Sequence, residues 1–156
     1  MYARILLPSD GSAMSKLAVQ SGIRFARDNG AEAVGLHVVA LPHAEQLDAW
    51  MHHAPQLVER RQALFDKFAD EYLAFIESTA QAEQVPCRIE KIRAAEPAMA
   101  IVRTAASLGC DLIYMASHGW RGDRARMLGS ETLKVLQESR VPVLVHKVPH
   151  VPGGHP

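Results

Sequence analysis

Cysteine is scarce in this chain, and the two present, Cys87 and Cys110, share no CxxC spacing. Each lies beside an expected strand. That pattern excludes a disulfide framework or a cysteine-built zinc site and predicts reduced packing residues in a cytoplasmic protein. Neither sign of charge is in excess: 17 Lys plus Arg balance 17 Asp plus Glu. No global field draws the chain to nucleic acid or to an anionic membrane, so any anion site must be local. Long apolar runs are missing too. Nothing approaches the roughly 18 residues that would span a bilayer, and the opening MYARILLPSDG has too short an apolar stretch for a signal peptide. A GxGxxG fingerprint is absent after the first expected strand, where the chain reads PSDGS, and no GxxxxGK followed by Ser or Thr occurs. Dinucleotide-binding dehydrogenases and P-loop NTPases are thereby set aside.

What is present is one ordinary globular domain: 156 residues, 48% of them hydrophobic and 22% charged. The domain is assigned to residues 1–148. The last residues, 149–156, belong to the Pro- and Gly-rich ending KVPHVPGGHP and are expected to form a flexible tail. Five short apolar runs, at 4–7, 33–39, 88–93, 112–115 and 143–147, alternate with helix-patterned segments. Alternation of this kind builds βαβ units, and it predicts an open five-stranded parallel sheet with helices on both faces, a Rossmann-like α/β fold.

Met14, Leu17, Ala18, Ser21, Gly22 and Phe25 recur at helical spacing before a stop at Asn29-Gly30. A longer amphipathic helix over 55–82 is expected to turn Leu57, Leu64, Phe65, Phe68, Tyr72, Phe75, Ile76 and Thr79 inward. Pro97 opens a third helix, with Ala98, Ile101, Val102, Ala105 and Leu108 on its inner face before Gly109. A last helix after Gly129 is expected to bury Leu133 and Leu136. The third strand, RIEKIR, alternates apolar and charged residues and belongs at a sheet edge, whereas ILL and LIYM suit central strands. A crevice at the carboxyl ends of the first and fourth strands is where an open α/β sheet takes its ligand.

Two segments meet that crevice. The one after the fourth strand, ASHGWRGDRARMLGS at 116–130, carries Gly119, Gly122 and Gly129, which let backbone approach a ligand, and Gly129-Ser130 leads straight into a helix. A helix start offers unpaired N–H groups to phosphate; Ser130 adds a hydroxyl, and Arg121, Arg124 and Arg126 add cations. At the other lip, Asp10 follows the first strand and faces the polar edge of a nucleoside, with Pro8 and Val38 as apolar walls. Taken alone, Asp10 reads more readily as a turn or N-cap residue.

These residues resemble the universal stress protein domain over nearly the whole chain, from about Ala3 to Lys147. ATP-binding members of that family carry a Gly, two residues, a Gly, nine residues, then Gly-Ser or Gly-Thr. Here Ala116, Gly119, Gly129 and Ser130 occupy those places with the spacing kept, and Ala116 replaces the first glycine. LLPSDGS, LHVV and SRVPVLVHK resemble the family's opening, second strand and closing strand. The resemblance implies the adenine nucleotide alpha hydrolase-like fold and a bound adenine nucleotide, ATP or else AMP or ADP, with Mg²⁺. It implies that Asp10 and Val38 contact adenine or ribose, that Met115 lines the pocket, and that Gly119, Gly129 and Ser130 take the phosphates. It also implies a homodimer through the last strand, which agrees with the apolar VPVLVHK segment as an edge that needs pairing.

Other readings carry less. Ser130, His118 and Asp10 lack the GxSxG elbow of a hydrolase. His43, His52 and His53 lack a regular ligand spacing with Asp, Glu or Cys, while His37 and His118 suit structural or pocket-lining places. Nothing in the loop supplies a general base for water attack, so a nucleotide would act as a ligand that biases the loop, with at most slow hydrolysis. The remaining alternative is a dimeric interaction module that uses no nucleotide, with Ala116 as its signature.

Overall fold

In a computed structural model, described at residues 1–118 and 128–147, the order is β1 (Arg4–Pro8), α1 (Ala13–Asn29), β2 (Glu32–Ala40), α2 (Ala44–His53), α3 (Pro55–Ala82), β3 (Cys87–Ala94), α4 (Pro97–Ser107), β4 (Leu112–Ala116), α5 (Ser130–Glu138) and β5 (Val143–His146). Local chemistry sets several of these boundaries. The Ser12 hydroxyl accepts from the Ser15 N–H to start α1, and Gly30, at φ 65°, ends it by donating to the carbonyls of Ala26 and Arg27. Proline stands in the first turn of α3 and of α4, where its missing N–H costs nothing.

All strand pairs are parallel, in the order β3-β2-β1-β4-β5. The chain steps outward from β1 through β2 to β3, then crosses back to β4 on the other side of β1. That reversal creates a topological switch point between β1 and β4, as the sequence leads one to expect. One face packs against α1 and α3 through Ile5, Leu7, Ile23, Leu73 and Ile76; the other packs against α4 and α5 through Leu6, Leu36, Ile101, Ile113 and Val135. The half-solvated β3 lies at one edge and β5 at the other, while β4 is buried throughout.

The buried face differs from the one expected in α5 and in part of α3, where Ile76 is inward as expected. In α5 the buried residues are Thr132 and Val135, while Leu133 and Leu136 are 44% and 39% exposed. The Thr132 hydroxyl donates to the Ala116 carbonyl, and this contact at the end of β4 fixes the turn of the helix. In α3 the inward residues are Val58, Ala69, Leu73, Ile76 and Ala80; Leu57, Leu64 and Phe68 face outward. Close approach to β2 explains the choice. A Cβ at Gly35 would stand 2.8 Å from Ile76 Cγ2, so small and branched side chains face the sheet and the rings flank it.

The segment before α3 folds as α2, which buries none of its residues. It is joined to α3 by the Arg61 guanidinium, 5.1 Å from the Trp50 ring and 5.0 Å from that of Phe65. Cys87 and Cys110 are both free thiols. Burial pushes the Cys110 thiol up to about 11, which keeps it protonated and unreactive near neutral pH. Among the described residues no helix is long and apolar enough to cross a membrane.

Candidate functional site

Side chains alternate across a sheet, so residues of like parity on neighbouring parallel strands share a face. Leu6 pairs with Val34 and with Ile113, and all three belong to the core beneath α4 and α5. Two residues further along each strand, Pro8, Leu36 and Met115 follow on the same face, with Val38 beyond Leu36. Pro8 and Met115 are buried, and Val38 is half-buried against the same cluster. The three apolar wall residues expected from the sequence are thus brought together at the carboxyl end of the sheet.

The loop after β1 holds Asp10, half-buried, with Oδ1 accepting the Ser12 N–H at 2.9 Å. Asp10 therefore closes a turn, and the cap of α1 falls to Ser12. Ser9, Ser12 and Ser15 form a buried hydroxyl cluster: Ser9 and Ser15 share a hydrogen bond of 3.0 Å, and Ser9 Oγ accepts the Gly11 N–H. Residue pattern alone did not single out these serines as a group. The spacing SDGSxxS, a cap residue three before a hydrogen-bonding serine, was the available signal.

Across the switch point, Ala116 is the last residue of β4, buried, and paired with His146 of β5. Among the described residues, Gln84 is the one non-glycine with positive φ, so Ala116 keeps an ordinary strand backbone. Gly129 returns the chain to this place, donating to the Ser117 carbonyl at 2.8 Å. A Cβ on Gly129 would lie a tight 3.1 Å from His118 Cα, so close approach favours glycine here, although its φ is −65°. Gly119, with Gly122, Arg121, Arg124 and Arg126, lies outside the described residues.

Among the described residues no side chain caps α5: Gly129 occupies the N-cap, and Ser130 follows it exposed. The acid in the first turn is turned away, because Glu131 accepts the Ala98 N–H at the start of α4 across 2.8 Å and lies 3.6 Å from Lys134. Its carboxylate serves the neighbouring helix instead of repelling an anion at the start of α5. His118 pairs through Nδ1 with the adjacent Ser117 hydroxyl at 3.0 Å. Among the described residues no group of three or more His, Cys, Asp or Glu is placed to hold a metal ion.

A sequence profile of the universal stress protein family matches residues 1–147. The chain belongs to the universal stress protein family. A universal stress protein of Methanocaldococcus jannaschii, MJ0531, is 30% identical over 152 residues, which cover 96% of this chain and 84% of that one. The solved structure of M. jannaschii MJ0577, presented as a structure-based assignment of biochemical function, superposes with a TM-score of 0.71 at 25% identity, covering 97% of this chain and 99% of that one. Two further universal stress protein structures share the fold and hold ligands. One is a complex with cAMP (TM-score 0.64, 20% identity, 93% and 96% covered). The other, from Archaeoglobus fulgidus, is a complex with dAMP (TM-score 0.64, 17% identity, 92% and 97% covered). The five-stranded parallel sheet and the flanking helices of this universal stress protein are therefore the family's fold.

Proposed function

We propose that this protein binds an adenine nucleotide, ATP in the first instance, in the crevice between β1 and β4. The observation that carries the reading is the start of α5: a helix N-terminus with, among the described residues, no capping side chain, at the carboxyl end of β4, with its one first-turn acid diverted to α4. Such a terminus offers N–H donors and a positive dipole end to phosphate. Gly129 permits close approach and the Ser130 hydroxyl is exposed beside it; Gly119 would complete the loop. Pro8, Val38 and Met115 form an apolar wall suited to a purine, and Asp10 stands where a ribose or adenine edge would meet it. Mg²⁺ would bridge the phosphates and offset their charge. Family members in complex with cAMP and with dAMP support an adenine nucleotide as the ligand class.

Binding, with hydrolysis slow or absent, is the activity that this arrangement favours. Among the described residues, His118 is engaged by Ser117, and Asp10 Oδ1 by the Ser12 N–H. Neither contact sets up a base to activate water. The nucleotide is then a ligand that shifts the loop between ordered and open forms, in a protein acting in the stress response in the cytoplasm. Calorimetric titration of nucleotide-stripped protein with ATP, ADP and AMP in Mg²⁺ tests the reading. Saturable heat with ATP is expected, and no heat at millimolar nucleotide would return the protein to the alternative of a nucleotide-independent interaction module.

The same protein is proposed to form a homodimer through β5. Among the described residues that strand is a sheet edge with a Val-Leu-Val run and one unpaired side, and an apolar edge of this kind is stabilised by pairing with a second copy. Sedimentation at micromolar concentration should show a dimer, and Val143→Lys should dissociate it; a wild-type monomer sinks the idea.

A further inference from the structure

The Asp10 loop is supported from the face opposite the apolar wall, by two rings that the nucleotide reading leaves unused. Gly11 has φ +78°, and a Cβ placed on it would fall within the Cε1, Cζ and Cδ1 atoms of Tyr72, so the α3 ring lies directly on the loop backbone. His37, on β2, is linked through Nδ1 to the Ser9 carbonyl across 2.7 Å. A carbonyl oxygen only accepts, so Nδ1 carries the proton. The imidazole meets Tyr72 edge-on, with ring centroids 5.1 Å apart, and Tyr72 in turn stacks on Phe68 at 6.3 Å and 13°. Phe68 is itself 37% exposed. Ser9 is also fixed by its own N–H, which extends the β1 ladder by donating to the Leu36 carbonyl at 2.9 Å.

We propose that Tyr72 and His37 are positioning residues for the ligand loop: together they set the backbone of residues 9–12, so that the packing of α3 and ligand capture at Asp10 are coupled. The inference rests on the nucleotide reading for its functional half. The geometry closes a path from Phe68 through Tyr72 to Gly11, and through His37 to Ser9, on both sides of Asp10. Gly11 is held by steric contact and Ser9 by a hydrogen bond, so the turn between them has little freedom to swing the Asp10 carboxylate. Burial, and then the negative charge of Asp10, push the Tyr72 hydroxyl above its ordinary range, which keeps the ring neutral beside the carboxylate. A partner or ligand that shifts α3 would move Tyr72 off Gly11 and loosen the loop.

The experiment compares full-length wild type with Tyr72→Ala, Tyr72→Phe and His37→Phe, reading amide hydrogen exchange without nucleotide and ATP affinity by calorimetry. Tyr72→Ala is expected to speed exchange at residues 9–12 by about tenfold and to weaken ATP by about tenfold, with strand amides at 5–7 unchanged. Tyr72→Phe keeps the ring and should match wild type in both. His37→Phe keeps a ring but loses the bond to Ser9, and should speed exchange at residues 9–12 alone. Wild-type exchange at 9–12 in Tyr72→Ala overturns the inference. So does an equal acceleration at 5–7, since it would mark general loosening. If wild type binds no ATP, the nucleotide reading fails, and the exchange measurements still decide the brace.

Discussion

The hydroxyl of Thr132 donates to the carbonyl of Ala116 across 3.1 Å, tying the first turn of α5 to the end of β4. The contact bears on the one departure from the family's glycine pattern. A strand residue with ordinary backbone, paired with His146 and anchored by Thr132, has no need of glycine's conformational range.

Ala116→Gly should therefore lower stability by about 0.5–1 kcal/mol through added backbone freedom. It should change ATP affinity by less than about threefold. Urea unfolding and calorimetry report the two quantities. A large gain in affinity would show that the methyl group obstructs the ligand.

Ser130 is exposed and, among the described residues, caps nothing, so replacing its hydroxyl carries little structural cost. Ser130→Ala should leave unfolding free energy within about 0.5 kcal/mol of wild type and weaken ATP by about tenfold, with a smaller effect on adenosine. Equal losses for ATP and adenosine would remove Ser130 from the phosphate site.

Asp111 joins the start of β1 to that of β4, accepting the N–H groups of Ala3 at 2.8 Å and Arg4 at 3.0 Å. Burial raises its carboxyl, but the backbone donors outweigh burial and hold it below its usual 3.8. A carboxylate depressed in the folded state stabilises above the unfolded pKa, and that contribution is lost as pH falls through the folded value. Asp111→Ala should cost about 1–2 kcal/mol at pH 7. The difference from wild type should narrow below pH about 4. Urea unfolding at pH 7 and pH 3 measures it, and a gap that widens in acid would contradict the assignment.

The rotation of α5 has its own test. Val135 is fully buried, and Val135→Ala should cost about 2 kcal/mol. Leu136→Gln, on the outward face, should stay within about 0.5 kcal/mol in the monomer. Chemical denaturation of both variants decides the phase of the helix, and the opposite ranking would restore the inward leucines.

That Pro8, Val38 and Met115 share one face toward the carboxyl end of the sheet was readable, because side chains alternate along a strand. The brace of Tyr72 and His37 was not. Its residues are separated from Gly11 by an entire crossover, and neither type announces such a contact: Tyr72 reads as an ordinary core ring of an amphipathic helix. The diversion of Glu131 to Ala98 was equally hidden, because a first-turn acid usually serves its own helix.

By itself the sequence determined the kinds and order of the elements other than α2, the edge placement of RIEKIR, the switch point at the first and fourth strands and the reduced cysteines, because periodicity, caps and composition are local properties. The tertiary structure decided how the helices are turned. Leu133 and Leu136 lost the inner face to Thr132 and Val135, and Leu57, Leu64 and Phe68 lost it to Val58, Ala69 and Leu73, beside the expected Ile76. A helix with apolar residues on more than one side is phased by its closest contact with the sheet. Those contacts, the Ala116 carbonyl for α5 and the bare backbone of Gly35 for α3, exist only once distant strands lie side by side.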